Sequence, residues 1–229
     1  MRDAINDFVV GCKSDGIWNA IKASCILAGA RTLAGALVPL VGTAPTNVSG
    51  NFVAGDYDRK TGLKGNRGTK YLNSNRNNNA DPQNDNHNAV YLTEPPGAGG
   101  AHAYMGVGPI TNESGANNII YTFGGSSRHA FRNRSSSTTD ILSSPAIGLI
   151  GASRDNSANY TFRVSGSSTG ASRTSQTSRS ADVIVFSNEG NTYPTDARLA
   201  FYSIGESLDL ALLDARVTVL VNAIGAAIP

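Results

Sequence analysis

From Phe52 to Ile204, short runs rich in Val, Ile, Tyr, Phe and Thr alternate with clusters of Gly, Ser, Asn, Asp and Pro. No other feature constrains the fold of this chain as strongly. Runs of this length and composition suit pleated, half-buried strands, and the clusters between them supply turns. Strands are predicted at 69–72, 88–93, 103–107, 118–123, 129–133, 146–152, 160–165, 171–175, 182–187 and 198–204. Turns are predicted at 97–100, 124–127, 154–159 and 189–194. Many short strands with no helical pattern between them indicate stacked antiparallel sheets, not a parallel α/β sheet. The run Val183-Ile-Val-Phe186 is apolar on both parities and is expected in the interior or beneath a helix. The polar stretches 73–88 and 165–180 read as long hairpin loops.

Helical patterning is confined to the two ends. Asp3 is placed as the N-cap of a first helix with Ile5, Phe8 and Val9 on one face and Gly11 as its stop. Ser14 is placed to cap a second short helix carrying Ile17, Trp18 and Ile21. Apolar runs at 25–27 and 37–41, broken by Gly and Pro, are short enough for strands. At the other end Ser207 is expected to cap a helix over 208–223, with Leu213, Val217, Leu220 and Ile224 as its apolar stripe. Asp209 in the first turn suits the helix dipole, and Gly225 is read as the stop. The expected organisation is a helical lead-in over 1–36, a sandwich over 37–206 and a C-terminal helix over 207–229 that belongs to the same domain.

At 229 residues the chain can bury a two-sheet core without metals or disulfides. Its net charge of +2 is too small to point to nucleic acid. All five lysines lie at or before Lys70, so the rest of the chain is positive through Arg alone. Arg favours fixed, bidentate contacts, which suit a protein surface or an acidic sugar. Cys12 and Cys25 form no disulfide or zinc framework and read as two buried thiols. No secretory h-region is visible, and no run reaches the ~18 apolar residues that span a bilayer.

Four segments carry a family resemblance. Gly65-Asn-Arg-Gly-Thr-Lys-Tyr-Leu72 resembles the G-N-G-S-x-Y-L strand of LamG-type jelly rolls, with Arg67 where a turn Gly is usual. Tyr160-Thr-Phe-Arg-Val-Ser-Gly166 is similar to the Y-x-N-G hairpin of that fold, with Ser165 in the Asn position. Residues 198–210 resemble its last strand running into the terminal helix. Residues 5–18 are similar to the lead-in of tail-associated proteins of phages and prophages. The resemblance implies a concanavalin A-like jelly-roll sandwich displayed on a tailed-phage virion, at a tail fibre or tail tip. Such a protein is made in the host cytoplasm and released by lysis. Its expected partners are other virion proteins, copies of itself and a host-surface polysaccharide; the alternative is an architectural head-decoration or cement protein, or a fibre subunit, with no glycan ligand.

The fold hosts lectins, glycanases and plain structural modules, so function has to come from a site. A glycanase needs two carboxylates about 5–9.5 Å apart across the scissile bond. The glutamates are Glu94, Glu113, Glu189 and Glu206, and none sits in an alternating acidic array. Asp56-Tyr-Asp58 has the spacing but lies in a Gly-flanked turn segment. His87, His102 and His129 have no nucleophile elbow near them and read as three exposed histidines. A non-catalytic chain is therefore expected. Asp81, Asn84, Asp85 and Asn86 offer hard oxygens on one loop, making Asp81 and Asp85 a candidate calcium site, and no other cofactor is expected. For glycan or partner contact the candidates are Tyr104, Tyr160 and Tyr193 as stacking platforms and Arg128, Arg132, Arg134 and Arg163 as cations. Asn86 and Asn88 would add hydrogen bonds. Neither nucleic-acid binding nor membrane insertion is expected.

Overall fold

The computed structural model describes residues 1–109, 115–122, 127–144 and 146–229. Position 123 of one expected strand, residues 124–126 of one expected turn, and Glu113 lie outside the described residues. In chain order the helices are α1 (Arg2–Ser14), α2 (Leu33–Ala36) and α3 (Leu210–Ala226). The first eight strands are β1 (Ile21–Ile26), β2 (Pro39–Val41), β3 (Thr46–Asn47), β4 (Tyr57–Asp58), β5 (Gly62–Lys64), β6 (Leu72–Asn77), β7 (Asn86–Glu94) and β8 (Ala101–Val107). They are followed by β9 (Ala116–Thr122), β10 (Arg128–Ser135), β11 (Thr139–Leu142), β12 (Gly148–Arg154), β13 (Asn159–Val164), β14 (Ser167–Ser172), β15 (Asp182–Val185) and β16 (Arg198–Gly205).

The strands form a mainly β sandwich of two antiparallel sheets. The nine-stranded sheet runs β14-β13-β12-β7-β16-β1-β2, with the β4–β5 pair attached to β16. The seven-stranded sheet runs β11-β10-β9-β8-β15-β6-β3. Alternate residues of both sheets meet in the central core, among them Val90 and Leu92 of β7, Ile119 and Tyr121 of β9, Phe131 of β10 and Phe162 of β13. Phe131 and Phe162 stack across the sheets at 4.7 Å between ring centroids.

The opposite parity of the nine-stranded sheet is also apolar, because α1 and α3 cover it. Ala89, Tyr91, Leu149, Ala200 and Phe201 pack against Phe8 and Cys12 of α1 and against Leu213, Val217, Leu220 and Ile224 of α3. This second core explains why β16 is buried on both faces, while the expected C-terminal stripe lies where its spacing put it. Arg216–Asp15 (2.6 Å) ties α3 to the end of α1, and Arg163–Asp214 (2.7 Å) ties it to β13.

Several expectations at the ends are corrected. Asp3 lies in the first turn of α1, whose N-cap position is Met1. Gly11 is buried inside that helix, where a Cβ would stand 2.8 Å from the Arg216 guanidinium, so it serves close packing and does not stop the helix. The second helix shrinks to a 3-10 turn at Trp18–Ala20 because Ile21 opens β1, which pairs with β16. The lead-in thus supplies a sheet strand, and a boundary at residue 36 cuts through the sandwich. Asp209, not Ser207, caps α3, accepting from the amides of Ala211 (2.7 Å) and Leu212 (3.3 Å). Gly225 lies within α3.

Both polar stretches contain strands. Residues 73–77 belong to β6, held between β15 and β3. In the other stretch, Ser165 (φ 52°) and Gly166 (φ 73°) make a two-residue turn that closes the β13–β14 hairpin at Val164–Ser167. Positive φ at both central positions is the type I′ arrangement that matches strand twist, and Asn fits the first position better than Ser. Ser165→Asn should therefore recover a fraction of the ~1 kcal/mol that a left-handed conformation costs an ordinary residue, read as a higher urea midpoint. Arg67 is likewise left-handed (φ 57°), and its guanidinium donates to the carbonyls of Ala98 (2.9 Å) and Gly99. The strand expected at 69–72 accordingly begins only at Leu72. In the 182–187 run, Val183 and Val185 face the core, Ile184 is half-buried on the outer face, and Phe186 leaves the strand at φ 72°.

Candidate functional site

With one sheet sealed by helices, the sheet face left without a helical layer is the outer side of the seven-stranded sheet. Its centre is a small apolar shelf of Ala103, Ile120 and Ala130, against which Ala101 and Tyr193 pack. The local sequence explains the shelf: in Ala101-His-Ala103 and His129-Ala130 the histidines turn inward and the alanines outward, leaving little side-chain height. Arg128 and Asp140 form a 3.2 Å ion pair at the rim, on β10 and β11, with side chains 45% and 38% exposed. Arg132, two residues along β10 from Ala130, is buried and donates to the Pro109 carbonyl at 3.5 Å. Asn118, opposite it on β9, donates to the carbonyls of Val107 (3.3 Å) and Pro109 (3.5 Å).

Tyr193 is half-buried and held by its backbone. The Asn188 side-chain oxygen accepts from the amides of Thr192 and Tyr193, both at 3.1 Å, and the Tyr193 carbonyl accepts from Ala103 N at 2.8 Å. Asn191, left-handed at φ 52°, donates to the Gly68 carbonyl at 2.6 Å. A fixed aromatic beside a shallow shelf and a planar ion pair is an arrangement on which a sugar ring can stack and hydrogen-bond.

The other candidates lie elsewhere. Tyr104 is buried in the central core, and burial pushes its phenol well up. Tyr160 is buried too, donating to the Phe131 carbonyl at 2.9 Å. Arg134 is buried, its guanidinium donating to the carbonyls of Asn78, Asp81 (3.0 Å) and Pro82, and burial lowers its pKa to about 10. Asn86 and Asn88 are buried on the inner face of β7. These five are interior groups, not surface contacts. Alternation puts Tyr104, Tyr160, Asn86 and Asn88 inside, while Arg134 turns in at a break in the β9–β10 register where its backbone is left-handed (φ 47°). Polarity was thus a misleading guide to exposure. The same correction applies to His87, His102 and His129, all buried.

Arg163 borders a second recess, bonded to Asp214 and to Ser168 Oγ at 3.0 Å. That recess, of about 610 Å³, lies beside the start of α3 and is lined by Ser153, Asp155, Thr161, Ser168, Ser207 and Asp209, among others. Its position arises only from α3 meeting β12–β14. Ser153 and Thr161 sit at strand positions that alternate with the core residues Ala152, Tyr160 and Phe162, the one signal of it in the sequence.

The proposed calcium oxygens do not converge. Asp81 is paired with Arg76, Asn84 accepts from Ser175 Oγ (2.5 Å), Asp85 from Ser207 N (2.6 Å) and Asn86 from Asn117 Nδ2 (3.3 Å). Each is engaged by a protein donor, and among the described residues no group of three or more His, Cys, Asp or Glu is placed to hold a metal. Glu94 is held by Lys64 (2.5 Å), Glu189 by Arg179 (2.5 Å) and Glu206 by Lys22 (3.0 Å), and the bonds to Lys64 and Arg179 hold the first two carboxyls below their usual range. Asp58 caps its own turn, accepting from Thr61 and Lys60.

No family model matches the sequence, and no curated protein does. Among solved structures, the botulinum neurotoxin serotype D binding domain superposes with a TM-score of 0.53 at 10% identity, over 91% of this chain and 52% of that one. The enzymatically active domain of bacteriophage CBA120 tailspike protein 2 gives 0.48 at 12% identity, over 80% of this chain and 30% of that one. The CBM40 of the Ruminococcus gnavus IT-sialidase gives 0.46 at 13% identity, over 58% of this chain and 82% of that one. This chain thus spans about half of the toxin domain structure and less than a third of the tailspike structure. At 10% identity the likeness to the toxin domain is one of fold alone, the two-sheet sandwich itself.

Proposed function

We propose that this chain is a non-catalytic structural module of a tailed-phage particle, tail fibre or tail-associated, that binds a host-surface glycan on the outer face of its seven-stranded sheet. The observation that carries the glycan reading is the pre-organised Tyr193 above the Ala103–Ile120–Ala130 shelf, flanked by Arg128–Asp140. The phage setting rests on the resemblance of the lead-in and the jelly-roll segments. The non-catalytic reading is supported by the engagement of Glu94, Glu189 and Glu206 with separate cations.

A purely architectural role, such as head decoration or cement, is favoured by one observation: Leu142 and Ile147 are 72% and 66% exposed, Leu142 on the edge strand β11. A glycan array of host polysaccharides separates the two. The glycan reading expects binding that Tyr193→Ala weakens about tenfold or more, the loss of one aromatic anchor. Ser168→Tyr, which fills the recess by α3, should leave binding unchanged. Loss with Ser168→Tyr alone would move the site to that recess. No binding to any polysaccharide, with particle assembly retained, would leave the architectural role.

A further inference from the structure

One end of the sandwich interior is polar on both sheets. Asn86 and Asn88 of β7 and Arg154 of β12 face Asn117 of β9 and Asn133 of β10. Asn117 reaches across to Asn86 (3.3 Å), Arg154 reaches Asn133 (3.1 Å), and Asn117 and Asn133 are directly opposed in the β9–β10 ladder. Asn88 is one pleat further along β7. All five side chains are at most 1% exposed.

Three amide atoms of this cluster have no protein partner: Asn117 Oδ1, Asn133 Nδ2 and Asn88 Nδ2. Two of the three amide orientations follow from their neighbours. Asn86 Nδ2 donates to the Gln83 carbonyl (3.2 Å), and Asn78 Nδ2 to those of Gly115 (3.2 Å) and Arg179 (3.1 Å). Their oxygens therefore accept from Asn117 Nδ2, at 3.3 and 3.4 Å, which leaves Asn117 Oδ1 an acceptor. Asn133 Oδ1 accepts from Arg154 Nε (3.1 Å), which leaves Asn133 Nδ2 a donor. Leaving such groups unserved in a dry interior is costly, so a ligand that serves them is favoured.

We infer that this polar end of the interior is a binding site for a structural water molecule. The mixed character of the free atoms selects the ligand. An anion would serve Asn133 Nδ2 but repel Asn117 Oδ1, and a cation would do the reverse. Water accepts from Asn133 Nδ2 and donates to Asn117 Oδ1, and its remaining capacity suits either end of the Asn88 amide, whose orientation no neighbour fixes. The site depends on the sandwich alone and not on the glycan reading.

The test is a crystal structure of the wild-type chain at a resolution that shows ordered water, with a second crystal soaked in bromide. The expected result is one density peak within hydrogen-bonding distance of Asn117 Oδ1 and Asn133 Nδ2, with no anomalous signal from bromide. A bromide peak at that position overturns the assignment in favour of an anion. A direct Asn133 Nδ2–Asn117 Oδ1 bond with no density beside it overturns the site altogether.

Discussion

Replacing Arg154 with Met is expected to lower the stability of this chain by about 3 kcal/mol, because the two Asn133 oxygens it serves are buried and would be left without a donor. Arg154 is fully buried at the end of β12, and its guanidinium serves three segments at once. Nε and Nη2 donate to the Asn133 carbonyl on β10, at 3.1 and 2.9 Å. Nη1 donates to the carbonyls of Asn156 (3.0 Å), Ser157 (3.4 Å) and Asn159 (3.1 Å) in the β12–β13 turn. Nη2 also reaches the Arg173 carbonyl beyond β14, at 2.9 Å. Met matches the stem but donates nothing, so the buried Asn133 oxygens lose their donors, while the carbonyls of Asn156, Ser157, Asn159 and Arg173 belong to exposed residues that water can reach. Arg154→Lys should recover only part of the loss, since an ammonium cannot spread its donors in the guanidinium fork. Urea unfolding of the three proteins measures this. A loss below about 1 kcal/mol for the Met variant would mean that the Asn133 oxygens find water as well.

The second large effect is acid lability. Burial pushes His87 and His129 from the ordinary 6.5 down to about 4, and burial, followed by Arg67, lowers His102. His87 is held neutral by geometry: Nδ1 donates to the Glu206 carbonyl (2.5 Å), so Nε2 accepts from the Ser203 hydroxyl (2.7 Å). His129 Nδ1 meets Ser143 Oγ at 2.6 Å. Between the two pKa values the unfolded chain binds more protons than the folded one, so stability rises with pH there. The contribution is complete above pH 6.5 and is lost as pH falls toward 4. A shift of this size corresponds to roughly 3 kcal/mol for each of His87 and His129. The lowered carboxyls of Asp58, Glu94 and Glu189 act in the same direction but at lower pH, which leaves the range from 6.5 to 4.5 to the histidines. Urea midpoints measured at pH 7.5 and 4.5 should differ strongly. Equal midpoints, or imidazoles titrating near 6.5 by NMR, would contradict the burial of these rings.

The strand-and-turn pattern was readable because alternation and turn chemistry are local. The segments at 88–93, 103–107, 129–133 and 198–204 all lie inside observed strands, and the 213/217/220 stripe lies inside its helix. Short peripheral strands such as β3, β4, β5 and β11 were not readable: two to four residues hold no period, and they pair because a neighbour is already in place. Of the residues expected at a binding face, Arg128 and Tyr193 lie exposed or half-buried on the outer sheet face, while Tyr104, Tyr160, Arg134, Asn86 and Asn88 lie inside.

The order of residues along this chain is enough to dictate a two-sheet sandwich with helical ends, since a period of two or of 3.6 is a property of neighbours in sequence. It does not say which polar groups go inward. That depends on Asn133, Arg154 and the carbonyl of Arg173 being brought together from three separate strands and loops. Only when the sheets stack does a buried cation acquire enough carbonyl acceptors to be tolerated, and the same stacking leaves Tyr193 on the sheet face without a helical layer.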